Sequence, residues 1–280
     1  MNVELQKTIA REASLDGIGV HTGIDTKVVI KPASPDHGVI FRRMDLPGCP
    51  ETSATVSAVT DTSRGTTLGR AGGEVRTVEH LLAVLTGLGI DNAIVEMDGP
   101  ELPMGDGSSL PFLRMIQAAG IQELGKPRVF CSISKPVGVT GSDGVIVALP
   151  ADELRIACTI AFGHPQLDSQ YLSLPITPSV FEREVSPART FGFYRDALPL
   201  MERGLIKGTS LDNTVVIGED AIFSRGGLRF PDECVRHKIL DLLGDLFLLG
   251  RPLRALIVAI KSGHTLNVKF VHKLQEVLNE

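Results

Sequence analysis

The chain of 280 residues carries 28 Lys+Arg against 33 Asp+Glu, a net charge of −5. This excludes the broad basic face that nucleic-acid binding needs to displace counterions, and with no Trp and two Tyr there are few rings for stacking bases. Four cysteines, none in C-x-x-C, exclude a cysteine zinc ribbon and read as reduced thiols of a cytoplasmic protein.

The N-terminus alternates charged and apolar residues and has no signal-peptide core. No apolar run approaches the roughly 20 residues needed to span a bilayer, and the longest clean one is Ala255–Ile260. Stable membrane insertion is not expected, while a peripheral contact stays open. Strand character begins at Lys27–Lys31 and Gly38–Arg42 and continues through Ala54–Val59 and Thr66–Leu68. Thr77–Leu88 then has helical period, with Val78, Leu81, Leu82, Leu85 and Leu88 on one stripe and Thr77 as the expected N-cap. Ala93–Met97 reads as a buried strand and Leu110–Ala119 as a second helix.

Leu124–Arg128 is the best boundary between two units. Beyond it, strands are expected at Val129–Ile133, Val137–Thr140, Val145–Leu149 and Leu154–Ile160. Glu233–Leu249 is the longest helical pattern, followed by the strand Ala255–Ile260 and a helix over Asn267–Leu278. The pattern V-x-H-x4-L-x-G occurs at Val78–Gly87 and again at Val235–Gly244, each time on a helix leading into an apolar strand. Such an echo suggests a duplicated α+β unit.

On the Glu233–Leu249 helix, Val235, Ile239, Leu242, Leu243, Leu246 and Phe247 form the core arc. His237, Asp241 and Asp245 lie on the other side at i, i+4 and i+8, where side chains are neighbours. Spacing alone leaves two readings open, a solvated face with a His–Asp pair or a shared cation. Glu79 and His80 fall off the stripe of the first helix. Catalytic zinc usually has three protein ligands and an open position. His80, His237 and Asp241 would make a His2Asp set, with Glu79 as the base that takes a proton from water. His264, in a turn after the last strand, and His21, in a glycine-rich loop, are ambiguous between exposed residues and site residues.

Taken together, GIGVHTG (17–23), TVEHLL (77–82), GIDN (89–92), RTFGF (189–193), VRHKILDLLGDL (235–246) and SGHTLN (262–267) resemble the UDP-3-O-acyl-N-acetylglucosamine deacetylases. These are the zinc amidases of lipid A biosynthesis in Gram-negative bacteria. The resemblance runs from about Thr8 to the C-terminal helix. It implies an α+β fold of two domains with related topology, 1–126 and 127–280, each a two-layer sandwich of helices on a sheet. Each domain would carry an insert, the first near Gly38–Thr67 and the second, which binds the acyl chain, near 191–216.

It also implies roles. His80, His237 and Asp241 would bind Zn2+, and Glu79 would be the general base. His264, held by Asp245, would be the general acid or electrostatic partner. Thr190 and Lys238 would help bind the reacting group and the nucleotide phosphates. Phe191, His21, Ala197, Leu200, Leu205, Gly208 and Val216 would contact substrate, with Leu198, Met201 and Ile206 completing an apolar passage. The substrate would be an acylated UDP-sugar and the protein a monomer. The residues alone leave open a zinc amidase or esterase of another substrate, and a non-enzymatic binder of nucleotide sugar or lipid.

Overall fold

The computed structural model describes residues 3–165, 167 and 169–279. The chain builds the same sheet twice. In the first half, β1 (Ala13–Ile18), β2 (Asp25–Pro32), β3 (Val39–Arg43) and β4 (Glu51–Ser53) precede helix α1 (Glu79–Leu88), β5 (Ala93–Met97) and α2 (Leu110–Ala119). The strands lie in the order β1-β2-β5-β3-β4, with β3 parallel to β5 and the other neighbours antiparallel.

In the second half, β6 (Val137–Thr140), β7 (Val145–Pro150), β8 (Arg155–Ala161) and β9 (Ser169–Pro175) precede α3 (Tyr194–Glu202), α4 (Glu233–Phe247), β10 (Leu253–Ile260) and α5 (His264–Asn279). The order β6-β7-β10-β8-β9, with β8 parallel to β10, repeats the first sheet strand for strand. Each parallel pair needs a long crossover, and in the two halves that crossover contains α1 and α4. The repeated V-x-H-x4-L-x-G lies on these equivalent helices. The architecture is α+β with helices packed on sheets. Alternating burial along β2 and β10 shows one face of each sheet turned to the core.

Several expectations are corrected. Ala54–Val59 does not run as a strand: a 3-10 turn forms at Val56–Ala58, where the Val56 N–H donates to the Leu248 carbonyl and binds the segment to the end of α4. Thr77 does not cap α1. Val78 holds that position, and Thr77 adopts a left-handed φ of 58° while its hydroxyl donates to the buried Glu101 carboxylate. Only Cys131–Ser132 of the expected Val129–Ile133 strand pairs, with Leu253–Arg254. Leu124–Arg128 lies largely in the strand Ile121–Pro127, which pairs with Leu5–Ile9, and still separates the two repeats of the sheet. His264 is not in a turn but is the first residue of α5. Between Phe191 and Phe223 the chain forms α3 and a separate three-stranded sheet of Phe191–Phe193, Val215–Ile217 and Ile222–Phe223.

All four cysteines are free, and burial pushes Cys158 and Cys234 up to about 12, so both are neutral packing groups. No helix among the described residues is long and apolar enough to cross a membrane.

The contact that brings the halves together is α1 against α4. Gly244 of α4 meets the backbone of Glu79 so closely that a methyl built there would lie 2.2 Å from the Glu79 carbonyl oxygen and 2.7 Å from its Cα. Thr86 of α1 also donates its hydroxyl to the Leu243 carbonyl across the same crossing. Replacing Gly by Ala inside a helix normally gains about 1 kcal/mol, whereas forcing a methyl into a packed interior costs about 1–3 kcal/mol. The obstacle here is backbone, which cannot rotate away, so the cost prevails. Gly244→Ala is expected to lower the melting temperature, measured by thermal denaturation. A variant as stable as the parent or more so would contradict this account of the crossing.

Candidate active site

At the α1–α4 crossing, His80 faces His237 and Asp241. Their ligand atoms all lie within 4.8 Å of one another, and all three residues are buried. The His–Asp face is therefore an interior surface, not a solvated one. Its apolar surroundings come from α1, nearly every residue of which is buried.

Hydrogen bonding fixes the state of one ring. His237 Nδ1 lies 3.1 Å from the Ala188 carbonyl, which can only accept, so Nδ1 carries a proton. Nε2 then points at Asp241 Oδ1 from 3.2 Å. A bare imidazole nitrogen and a carboxylate oxygen both offer lone pairs, so a proton or a cation must lie between them. His80 is pushed down to about 3, chiefly by burial and further by His237, which keeps it neutral as a ligand must be. Its Nδ1 is buried and without a hydrogen-bond partner. Two imidazoles and one carboxylate suit a divalent ion of the zinc type.

Asp241 is held well below the usual carboxylate range. Burial opposes this, but Lys238, His237 and His264 outweigh it. The Lys238 ammonium lies 2.5 Å from Asp241 Oδ2 and 5.6 Å from the centre of the Phe191 ring.

Opposite this cluster stand Glu79 and His264. Glu79 Oε2 accepts the Thr66 N–H at 2.9 Å, and Oε1 lies 3.9 Å from His264 Nε2. Burial raises Glu79 to about 7, and the charges of Asp245 and Asp241 add to the rise against the pull of His264. His264 is raised as well, to about 9. Burial opposes its charge but Asp245, bonded to Nδ1 at 2.9 Å, and then Asp241 prevail. Between those values Glu79 is ionised and His264 protonated, the division a base and an acid need.

These groups open into a cleft of about 440 Å³. Of the residues singled out in the sequence, the structure brings Glu79, His80, His237, Lys238, Asp241, His264, Thr190, Phe191, His21, Ala197, Leu200, Ile206 and Val216 to its wall. Asp245 lies behind His264, fully buried. Four expected wall residues are elsewhere. Leu198 and Met201 occupy the outer face of α3, 66% and 63% exposed, because Ala197 and Leu200 take its inner face. Leu205 follows α3 in a turn, its N–H donating to the Leu200 carbonyl. Gly208 packs on the Gly19 carbonyl, where a methyl would sit 2.3 Å away, so it joins two loops instead of lining the cleft.

Sequence reasoning missed Thr66, Asn267, Ala188 and Glu101. Thr66 and Asn267 hydrogen-bond Asp245, and Ala188 orients His237. Buried Glu101 accepts from the N–H groups of His21 and Thr22 and from two threonine hydroxyls, anchoring the His21 loop. Thr66 and Asn267 open elements that the pattern placed, but a period marks burial and not hydrogen-bond partners, so spacing carried no signal for these roles.

A carboxylate and an imidazole with separated pKa values, facing two histidines and an aspartate across one cleft, have the chemistry to activate water for hydrolysis. The comparisons agree. A family profile described as LpxC, UDP-3-O-acyl N-acetylglycosamine deacetylase, matches residues 6–276, and the chain belongs to this family. Proteins named UDP-3-O-acyl-N-acetylglucosamine deacetylase are similar throughout. That of Myxococcus xanthus is 48% identical over 269 residues, covering 96% of this chain and 86% of the relative. That of Chlamydia abortus is 43% identical over 274 residues, covering 98% of each. The chain is thus a deacetylase, a hydrolase of amide bonds.

The segment carrying Ala188 and Thr190 is held by a buried ion pair. Glu233 accepts the Arg189 N–H at 3.0 Å and Nε at 2.9 Å, and the guanidinium also donates to the Arg225 and Gly227 carbonyls. Burial would raise the Glu233 carboxyl, but its bonds to Arg189 and to the Arg229 N–H hold it below the ordinary range. A depressed folded-state pKa stabilises the fold above the unfolded value of about 4.3 and loses that contribution as pH falls through the folded value. Arg189→Met leaves a buried carboxylate uncompensated and is expected to cost about 3–5 kcal/mol in urea unfolding. In Glu233→Gln the acid limb of stability against pH should flatten. An Arg189→Met variant as stable as the parent would refute this role.

Proposed function

We propose that the chain hydrolyses the N-acetyl group of UDP-3-O-[(3R)-3-hydroxyacyl]-N-acetylglucosamine, releasing acetate and the free amine in lipid A biosynthesis. The observation that carries this reading is the 3.2 Å approach of His237 Nε2 to Asp241 Oδ1 beside His80, with Glu79 and His264 across the cleft. His80, His237 and Asp241 would hold Zn2+. When bound, such an ion supplies Lewis-acid polarisation of the carbonyl and acidifies water in the cleft.

Glu79, whose Oε1 is free of the Thr66 contact, takes a proton from water as its oxygen bonds to the acetyl carbon. The Thr190 hydroxyl and the cationic ring of His264 are the chain's own groups for stabilising the negative charge that grows on the carbonyl oxygen. As the C–N bond breaks, the leaving amine gains a proton from His264, whose Nε2 faces the cleft because Nδ1 is tied to Asp245. Lys238 and His21 would meet the nucleotide phosphates and sugar. Phe191, Ala197, Leu200 and Val216, with Ile206, give an apolar wall for the acyl chain, each buried methylene contributing about 0.8 kcal/mol. We read the chain as two units, 1–126 and 127–280, acting as a cytoplasmic monomer.

His80→Ala and Asp241→Ala are expected to lose bound metal and activity together. Glu79→Ala should keep the metal and lose most of the rate, about 10²–10⁴-fold if it is the base. Metal analysis of purified protein and an acetate-release assay check both. Full turnover by the Glu79 variant would remove it as the base. The acyl wall is tested by comparing substrate with and without the 3-O-acyl chain. The acylated form should have the far higher kcat/KM, and equal values would point to another substrate.

A further inference from the structure

Thr66 lies in the first half of the chain, fully buried, and is bonded to both sides of the acid–base pair. Its backbone N–H donates to Glu79 Oε2 at 2.9 Å. Its hydroxyl donates to Asp245 Oδ1 at 2.5 Å, and the same oxygen is 3.3 Å from His264 Nδ1. Asp245 Oδ2 in turn accepts from His264 Nδ1 at 2.9 Å and Asn267 Nδ2 at 2.8 Å.

The bonding is specific in direction. A hydroxyl has one proton, and an ionised carboxylate can only accept, so that proton belongs to Asp245. Both oxygens of Asp245 are then occupied and the carboxylate cannot rotate. The His264 ring it holds keeps Nε2 toward the cleft. On the other side, the Thr66 N–H occupies Oε2 of Glu79 and leaves Oε1 free, 3.9 Å from His264 Nε2. That gap is too long for a direct hydrogen bond, so base and acid stay apart and each keeps a free atom toward the cleft. A one-ångström error in such spacing can cost about 10²-fold in rate.

We propose that Thr66 is a positioning residue that sets the distance between Glu79 and His264 by anchoring one through its backbone and the other, by way of Asp245, through its hydroxyl. This rests on the deacetylase mechanism above. It adds a requirement on the half of the chain that contributes neither Asp245 nor His264.

The test compares Thr66→Val, which keeps shape and N–H but deletes the hydroxyl, with Thr66→Ser, which keeps the hydroxyl. In the metal-loaded enzyme Thr66→Val should lower kcat about 10- to 100-fold, the usual cost of removing a supporting hydrogen bond. KM should stay within about threefold, since uniform binding is untouched, and metal content should equal that of the parent. Thr66→Ser should return kcat to within about threefold of the parent, as expected where the hydroxyl alone matters. Parent-like kcat in Thr66→Val would overturn the proposal, and so would a Thr66→Ser variant as slow as Thr66→Val. Should Thr66→Val not fold, Thr66→Ala serves as the hydroxyl-free variant under the same criteria. A second readout needs no turnover: the NMR resonance of the His264 Nδ1 proton should shift in the hydroxyl-free variant and return in Thr66→Ser. If the parent fails to deacetylate the acylated UDP-sugar, the substrate assignment falls and this resonance decides. An unmoved resonance would then overturn the positioning role.

Discussion

The close crossing of α1 and α4 is the constraint on which the molecule depends. Because position 244 has no side chain, the backbone of Glu79 can rest on α4. Adjacent residues of α1 then reach the site together, His80 toward His237 and Asp241 and Glu79 toward His264. Two neighbours on a helix point about 100° apart. His80 can therefore face the other helix while Glu79 faces the cleft. Widening the crossing by a methyl group would separate all of these atoms at once.

The second theme is how charge is managed without water. Glu79, Asp241 and Asp245 are three carboxylates buried close together, a costly arrangement unless each is compensated. The compensations differ, and so do the resulting properties. Asp241 has the Lys238 ammonium against it and stays ionised. Asp245 receives three donors and supports the charge on His264. Glu79 has a single N–H donor and no adjacent ammonium, so burial dominates and its affinity for a proton rises. One desolvated pocket thus yields a fixed anion and, close together, a base and an acid with separated pKa values.

The duplicated sheet supplies the frame and the departures from symmetry supply the chemistry. Both halves share strand order and a crossover helix carrying histidine at the equivalent place. Yet Asp241 and Asp245 occur only on α4, and His264 opens the helix after β10. The segment from Phe191 to Phe223, with α3 and its small sheet, forms the apolar side of the cleft. The buried Arg189–Glu233 pair ties the start of that segment to the start of α4, so the cleft wall and the His237–Asp241 pair share one support.

Periodicity and residue type, which are properties of the chain itself, were enough to place the main strands, α1, α2 and α4, and the repeated motif. Spacing at i and i+4 fixed the pairing of His237 with Asp241, because helical geometry is local. Position on α1 singled out Glu79 and His80, but nothing local joined them to α4, and the resemblance was needed to commit to a shared site. The tertiary structure decided whether the His–Asp face was wet or dry, since burial depends on a helix 157 residues away in sequence from its partner contact. It also decided what Thr66, Thr77 and Gly208 do. Each is placed by a bond or contact with a distant segment, and such contacts leave no period in the sequence.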